Sequence, residues 1–461
     1  MKISSIREPK YKHTCFLNIS DIKKYNRKTK ICDQIIKNLH TIPLKDYNKF
    51  KQLCILRKLH NQMKLKNNKI KRSDYYFNIM DELHKEQVML TVVDSFNKSV
   101  IIPSGVTHLT FGNKFNQSII IPHGVTHLTF GFYFNQEVII PNSVTHLTCG
   151  WEFNRNIIIP NSVTHLQFGY RFNQKVIIPS SVIYLTIGDY FMRTVAIPSN
   201  VVKLHYNLYL NCKAVIPSNT THLTMAYYLN QKIMIPDGVK YLRLGDSYDQ
   251  EIVIPNSMTT LIFGYKFNQE IIIPNGVTHL TFGCKFNQKV IIPSSVTHLT
   301  FGYNFNQEVK IPLSVTHLTF GCNFKQGVII PSSVTHLTLG YYCNQEVIIP
   351  NSVTHLTFAT EFNQKVVIPD FVTHLTFGHD FDQDVTIPNG VTHLTFGPMF
   401  NRHIIIPTTV TQIELGRYFD KNVIIPVTIK KMVYYKLGKI NKFNNIGRRR
   451  SPINLPNQSK Y

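Results

Sequence analysis

The chain has 461 residues and a formal charge of +24, from 50 Lys and Arg against 26 Asp and Glu. Residues 1–102 hold 22 basic and 9 acidic side chains, residues 103–425 hold 19 and 17, and residues 426–461 hold 9 and none. A near-neutral centre excludes a continuous nucleic-acid track and leaves basic ends capable of weak, non-specific contact with nucleic acid or acidic surfaces. No apolar run approaches the roughly eighteen residues of a membrane helix.

In chain order, residues 1–83 come first: polar, basic and without internal repeat. The opening Met1-Lys2-Ile3-Ser4-Ser5-Ile6-Arg7-Glu8 has no apolar core of a signal peptide. Tyr47, Phe50, Leu53, Leu56, Leu59 and Met63 are spaced to share one helix face, so a small helical N-terminal region is predicted. Its alternative is a basic arm.

From Pro103 to Pro426 a proline stands every nineteen residues, without insertion or deletion. Seventeen complete units therefore fill residues 103–425. A fixed period near twenty residues signifies a solenoid, each unit one coil stacked on the last. The predicted fold is a mainly β solenoid, a stack of 19-residue coils spanning 84–437. Degenerate capping coils are expected at 84–102 and 426–437, and a basic, disordered tail over 438–461.

The unit from Pro274 to Ile292 defines one coil. Leu280 and Phe282 are two apart and share one strand face, while His279 and Thr281 share the other. The Leu280 position holds Leu in every unit but one, which has Ile413. The His279 position admits Lys203, Tyr241, Thr260 and Gln412, and the Thr281 position admits Arg243, His205 and Glu414. A position that takes Lys, Arg or Glu faces solvent, so Leu and Phe are the predicted core and His and Thr the outer face. Gly283 is expected at a corner of positive φ. Phe286 should form an apolar spine, and Asn287 should bond the backbone of the next coil. Val290 and Ile292 are expected inward, with the residue between them outward.

The run Ile-Pro-x-Ser-Val-Thr-His-Leu-Thr-Phe-Gly-x-x-Phe-Asn-Gln, as in Ile292 through Gln307, resembles the FNIP repeat family. That family is similar to leucine-rich-repeat proteins and is abundant in social amoebae and in giant viruses of amoebae. The resemblance implies an intracellular binding or scaffold protein, in the cytoplasm of the host if viral. It supplies no catalytic residues and no ligand. Residues 31–62 resemble an F-box, although the usual Leu-Pro opening is missing. That resemblance implies, as the alternative function, a substrate-recognition subunit of a ubiquitin ligase contacting a ligase adaptor.

Twelve histidines occupy the His279 position, among them His108, His222 and His393. A zinc site needs three or four ligands converging on one ion, whereas imidazoles repeated on parallel strands point the same way. No metal or cofactor is therefore expected. The eight cysteines include no CxxC pair and are read as free thiols of a reducing compartment. Coils 179–273 lose much of the His row. There Lys203, His205, His222, Tyr241 and Arg243 form the candidate partner patch, because aromatic and Arg side chains concentrate at interface hot spots. Arg448-Arg449-Arg450 is a short basic cluster compatible with nuclear import or nucleic-acid contact. No phosphate loop, nucleophile elbow, zinc-protease motif or paired-acid constellation occurs, so a non-enzymatic protein-interaction scaffold using the exposed strand face is expected.

Overall fold

The computed structural model describes residues 75–82, 85–206, 216–225, 227–340, 348–419, 423–436 and 439–444. The helix expected over 47–63, the F-box-like stretch 31–62 and Arg448–Arg450 lie outside the described residues. The chain divides into two compact units, Met1–Pro217 and Ser218–Tyr461.

In the first unit, β1 (Tyr75–Glu82) and β2 (Lys85–Val92) form an antiparallel pair. Strand β2 then runs parallel to β3 (His108–Thr110), and the stack continues through β4 (His127–Thr129), β5 (His146–Thr148), β6 (His165–Gln167), β7 (Tyr184–Thr186) and β8 (Lys203–Tyr206).

The second unit starts at β9 (His222–Met225) and β10 (Tyr241–Arg243). It continues through β11 (Thr260–Ile262), β12 (His279–Thr281), β13 (His298–Thr300), β14 (His317–Thr319) and β15 (His336–Leu339). The remaining parallel strands are β16 (His355–Phe358), β17 (His374–Thr376), β18 (His393–Thr395), β19 (Gln412–Leu415) and β20 (Lys431–Lys436). The last strand, β21 (Lys439–Asn444), turns back antiparallel to β20.

Within each unit a repeat strand pairs with the next in a register of nineteen, Leu280 beside Leu299 and His279 beside His298. Two tight turns shape the coil that starts at Pro274. Val277 N–H donates to the Pro274 carbonyl at 3.1 Å, and Phe286 N–H to the Gly283 carbonyl at 3.2 Å. The turns aim Val277 and Phe286 inward, where with Leu280, Phe282 and Ile292 they are buried. The Phe286 and Phe305 rings stack at 6.1 Å with 5° between planes, so the spine forms as expected. The corner asparagines also behave as expected: Asn287 N–H donates to Asn268 Oδ1 at 2.9 Å, and Asn306 N–H to Asn287 Oδ1 at 2.8 Å.

Three expectations change. The described part of the N-terminal region, Tyr75–Glu82, is strand and not helix, so the sheet begins before residue 84. Residues Lys439–Asn444, placed in a disordered tail, form the final strand. Both lie outside the repeat and pair antiparallel, covering an edge that a parallel stack would leave with unpaired backbone groups. Lastly, Gly283 has no positive φ. A Cβ there would stand 1.7 Å from the Gly264 carbonyl oxygen. The glycine is required by the closeness of the preceding coil. Ala359 marks the variation: its N–H donates to Leu339 O at 2.8 Å, and the ladder there extends to Leu339 beside Phe358.

Candidate binding face

The strand face carries the histidine row. In the second unit His279, His298, His317, His336, His355, His374 and His393 stack with ring centroids 4.1–4.2 Å apart for the first five contacts and 4.0 Å for the last. In the first unit His108, His127, His146 and His165 stack at 4.0 Å. That row continues through Tyr184 at 4.1 Å, with Lys203 Nζ 5.0 Å from the Tyr184 ring centroid.

The threonine before a histidine holds its ring. Thr297 Oγ1 lies within hydrogen-bond reach of both the Thr278 carbonyl oxygen, at 3.2 Å, and His298 Nδ1, at 3.0 Å. The hydroxyl thus ties the ring at Nδ1 to the preceding coil and leaves Nε2 facing outward. The same pair of bonds recurs at Thr126 with His127, Thr316 with His317 and Thr373 with His374. Partial burial, then the charge of neighbouring rings, lowers the pKa of His298, His317, His355 and His374. For His127 the same causes lower it to about 4. These five rings are thus held neutral near pH 7, because charging one ring disfavours charging a neighbour.

Parallel rings do not converge on an ion. Among the described residues no group of three or more His, Cys, Asp or Glu side chains is placed to hold a metal. Cys149 is buried, and desolvation pushes its thiol pKa well above the usual thiol range. Cys284 and Cys322 are free and half-buried.

The five patch residues fall in two groups. Lys203 and His205 belong to β8 of the first unit, where both are exposed. His222, Tyr241 and Arg243 belong to β9 and β10 of the second, where the His222 and Tyr241 rings stack at 5.7 Å and Arg243 is exposed.

One surface feature escapes a residue-by-residue reading of the sequence. The position between Val290 and Ile292 does point outward, but in most coils it is a fully aliphatic side chain, Ile291 among them. The Ile-Ile doublet before eleven of the eighteen prolines was its visible signal: one member fills the core and the other is left in water.

The comparisons with known proteins agree with this architecture. A circular LRR protein of a giant virus, CroV588, has a crystal structure that aligns with a TM-score of 0.58 at 37% identity, covering 75% of this chain and 62% of that one. The chain thus spans about three fifths of that protein's length. No curated protein matches the sequence. The model of the FNIP Repeat matches residues 96–133, 134–171, 153–190, 229–266, 248–285, 267–304, 286–323, 323–361, 362–398 and 384–418. These matches cover more than half of the chain, in register with its coils, and the chain belongs to the FNIP repeat family.

Proposed function

We propose that the protein is a non-enzymatic interaction scaffold whose strand face binds a protein partner through hydrogen bonds to the histidine row. The observation that carries this reading is the regular stack of that row. Each ring presents a nitrogen at the spacing of the coils, held by stacking and by the Thr bond, so little side-chain freedom is lost on binding. Polar side chains and backbone groups of a partner complement such a row. The threonines of the neighbouring row, such as Thr281 and Thr300, are half-buried on the same face and add hydroxyls. A repeat solenoid of this family, with no catalytic constellation among its described residues, supports binding over catalysis.

The test is affinity capture with the full chain against a variant carrying His298→Phe, His317→Phe and His336→Phe. Phenylalanine keeps the stack and removes the ring nitrogens of three successive coils. The proposal expects a protein partner held by the natural chain and lost with the variant, at equal thermal stability. Recovery of the same partners by both chains overturns it.

A further inference from the structure

In the second unit the position of Ile291 forms a second row, one side chain per coil, from Met234 to Ile424. Nine of its eleven members are aliphatic and 78–90% exposed; Lys310 and Thr386 are the exceptions. Nothing among the described residues covers it. Isolated exposed aliphatics are ordinary, but a contiguous apolar row of this length marks an interaction surface.

The chemistry beside the row selects the occupant. Two residues before several members stands an exposed polar side chain: Lys289, Glu308, Lys365 and Asp384 among them, with Gly327 before Ile329. The signs are mixed. An acidic lipid surface calls for a basic flank, and a nucleic acid for a basic track, so neither fits. A surface of the same composition does fit.

We propose that this row is the interface of a symmetric dimer with a second copy of the chain, the two stacks running antiparallel. A two-fold interface sets the same patch against itself, so residue i meets j and j meets i. With the axis between Ile329 and Ile348, Ile329 meets the partner's Ile348. In that register Lys289 lies across from the partner's Asp384, and Glu308 from the partner's Lys365. Symmetry repeats both opposite-charge pairs. Lys310 falls across from the partner's Val367, where its aliphatic stem can cover apolar surface while its ammonium reaches water. A register one coil away, centred on Ile329, would set Lys289 against the partner's Lys365 and is disfavoured. The area suffices: an aliphatic side chain buries about 60–120 Å² of apolar surface, so the eight that face the partner's row, Val253 to Ile424, give about 500–1,000 Å² per copy, against about 800 Å² for a stable interface. The coil period lets successive side chains interleave along the whole contact.

The experiment is sedimentation equilibrium on the full chain over nanomolar to micromolar concentration, with a monomer mass of 53.3 kDa. A dimer mass is expected for the natural chain. Ile329→Glu with Ile348→Glu should raise the dissociation constant by more than about a hundredfold, because four carboxylates would meet at the axis. Should that variant fail to fold, charge reversal decides. Lys289→Glu alone should weaken the dimer about tenfold or more, and adding Asp384→Lys should restore it. A mass of one chain at every concentration overturns the proposal, as does a dimer indifferent to both sets of changes. Binding of the natural chain to phosphatidylserine vesicles, with the chain monomeric in solution and binding lost in the double-Glu variant, would assign the row to a membrane instead and equally overturn it.

Discussion

The histidine row and the isoleucine row each carry one side chain per coil, in register for the length of a unit, and they solve opposite problems. On the strand face much of the polar chemistry is met within the stack: Thr297 bonds the preceding coil and the Nδ1 of His298, and each ring lies on the next. The row beside Ile291 has no such recourse. An aliphatic side chain is satisfied only by contact with other apolar surface, and stacking identical coils brings its neighbours alongside without taking it out of water. Repetition therefore orders the strand face through contacts between coils and leaves the Ile291 row exposed to water. The comparison sorts substitutions by whether they strike coil-to-coil contacts or the surface rows.

The largest effect is expected from Gly283→Ala, because the added methyl meets the backbone carbonyl of Gly264, which cannot step aside as a side-chain end could. A loss of more than about 4 kcal/mol is expected in denaturant unfolding; a loss below 1 kcal/mol would mean that the coils separate easily. Leu299→Ala comes next. Leu299 is buried between coils on both sides, so lost burial and a cavity cost about 2–5 kcal/mol. His298→Ala, one residue earlier, should cost about 1 kcal/mol through its lost hydrogen bond. Equal losses at 298 and 299 would reverse the assignment of faces.

Acid should erode the histidine row in a defined window. The folded chain holds His127, His298, His317, His355 and His374 below the ordinary imidazole value of 6.5. Between the folded and unfolded values the unfolded chain binds more protons, so stability rises with pH there. The melting temperature should therefore be level above about pH 6.5 and fall as pH drops toward about 4, the value His127 reaches. A melting temperature that holds or climbs from pH 6.5 to 4.5 would contradict the neutral stack. A smaller gain is expected from Tyr248→Phe. Tyr248 takes a Phe position in the spine, is fully buried, and its hydroxyl has no hydrogen-bond partner; burial raises its pKa to about 12. Removing that hydroxyl should stabilise the chain by about 1–2 kcal/mol, read as a shift to higher denaturant. The smallest effect is reserved for the back row: Ile291→Lys should leave unfolding of the dilute chain within about 0.5 kcal/mol, since its side chain already stands in water.

The sequence by itself determined the period, the buried and exposed strand faces and the asparagine contacts between coils. These follow from local alternation and from which positions tolerate charge, and a strict repeat presents each test many times over. The patch at Lys203, His205, His222, Tyr241 and Arg243 was legible as residues on the strand face, but not its division between two units, since the period runs on without a break. Only the tertiary structure decided the rest, and for one physical reason: the deciding partner lies nineteen residues away or outside the repeat. Gly283 answers to the Gly264 carbonyl, and the His298 ring to a hydroxyl that also reaches Thr278 of the coil before. Strands β1 and β21 share no motif with the coils they cover; edge pairing recruited them, because an open parallel stack ends in backbone groups that need partners.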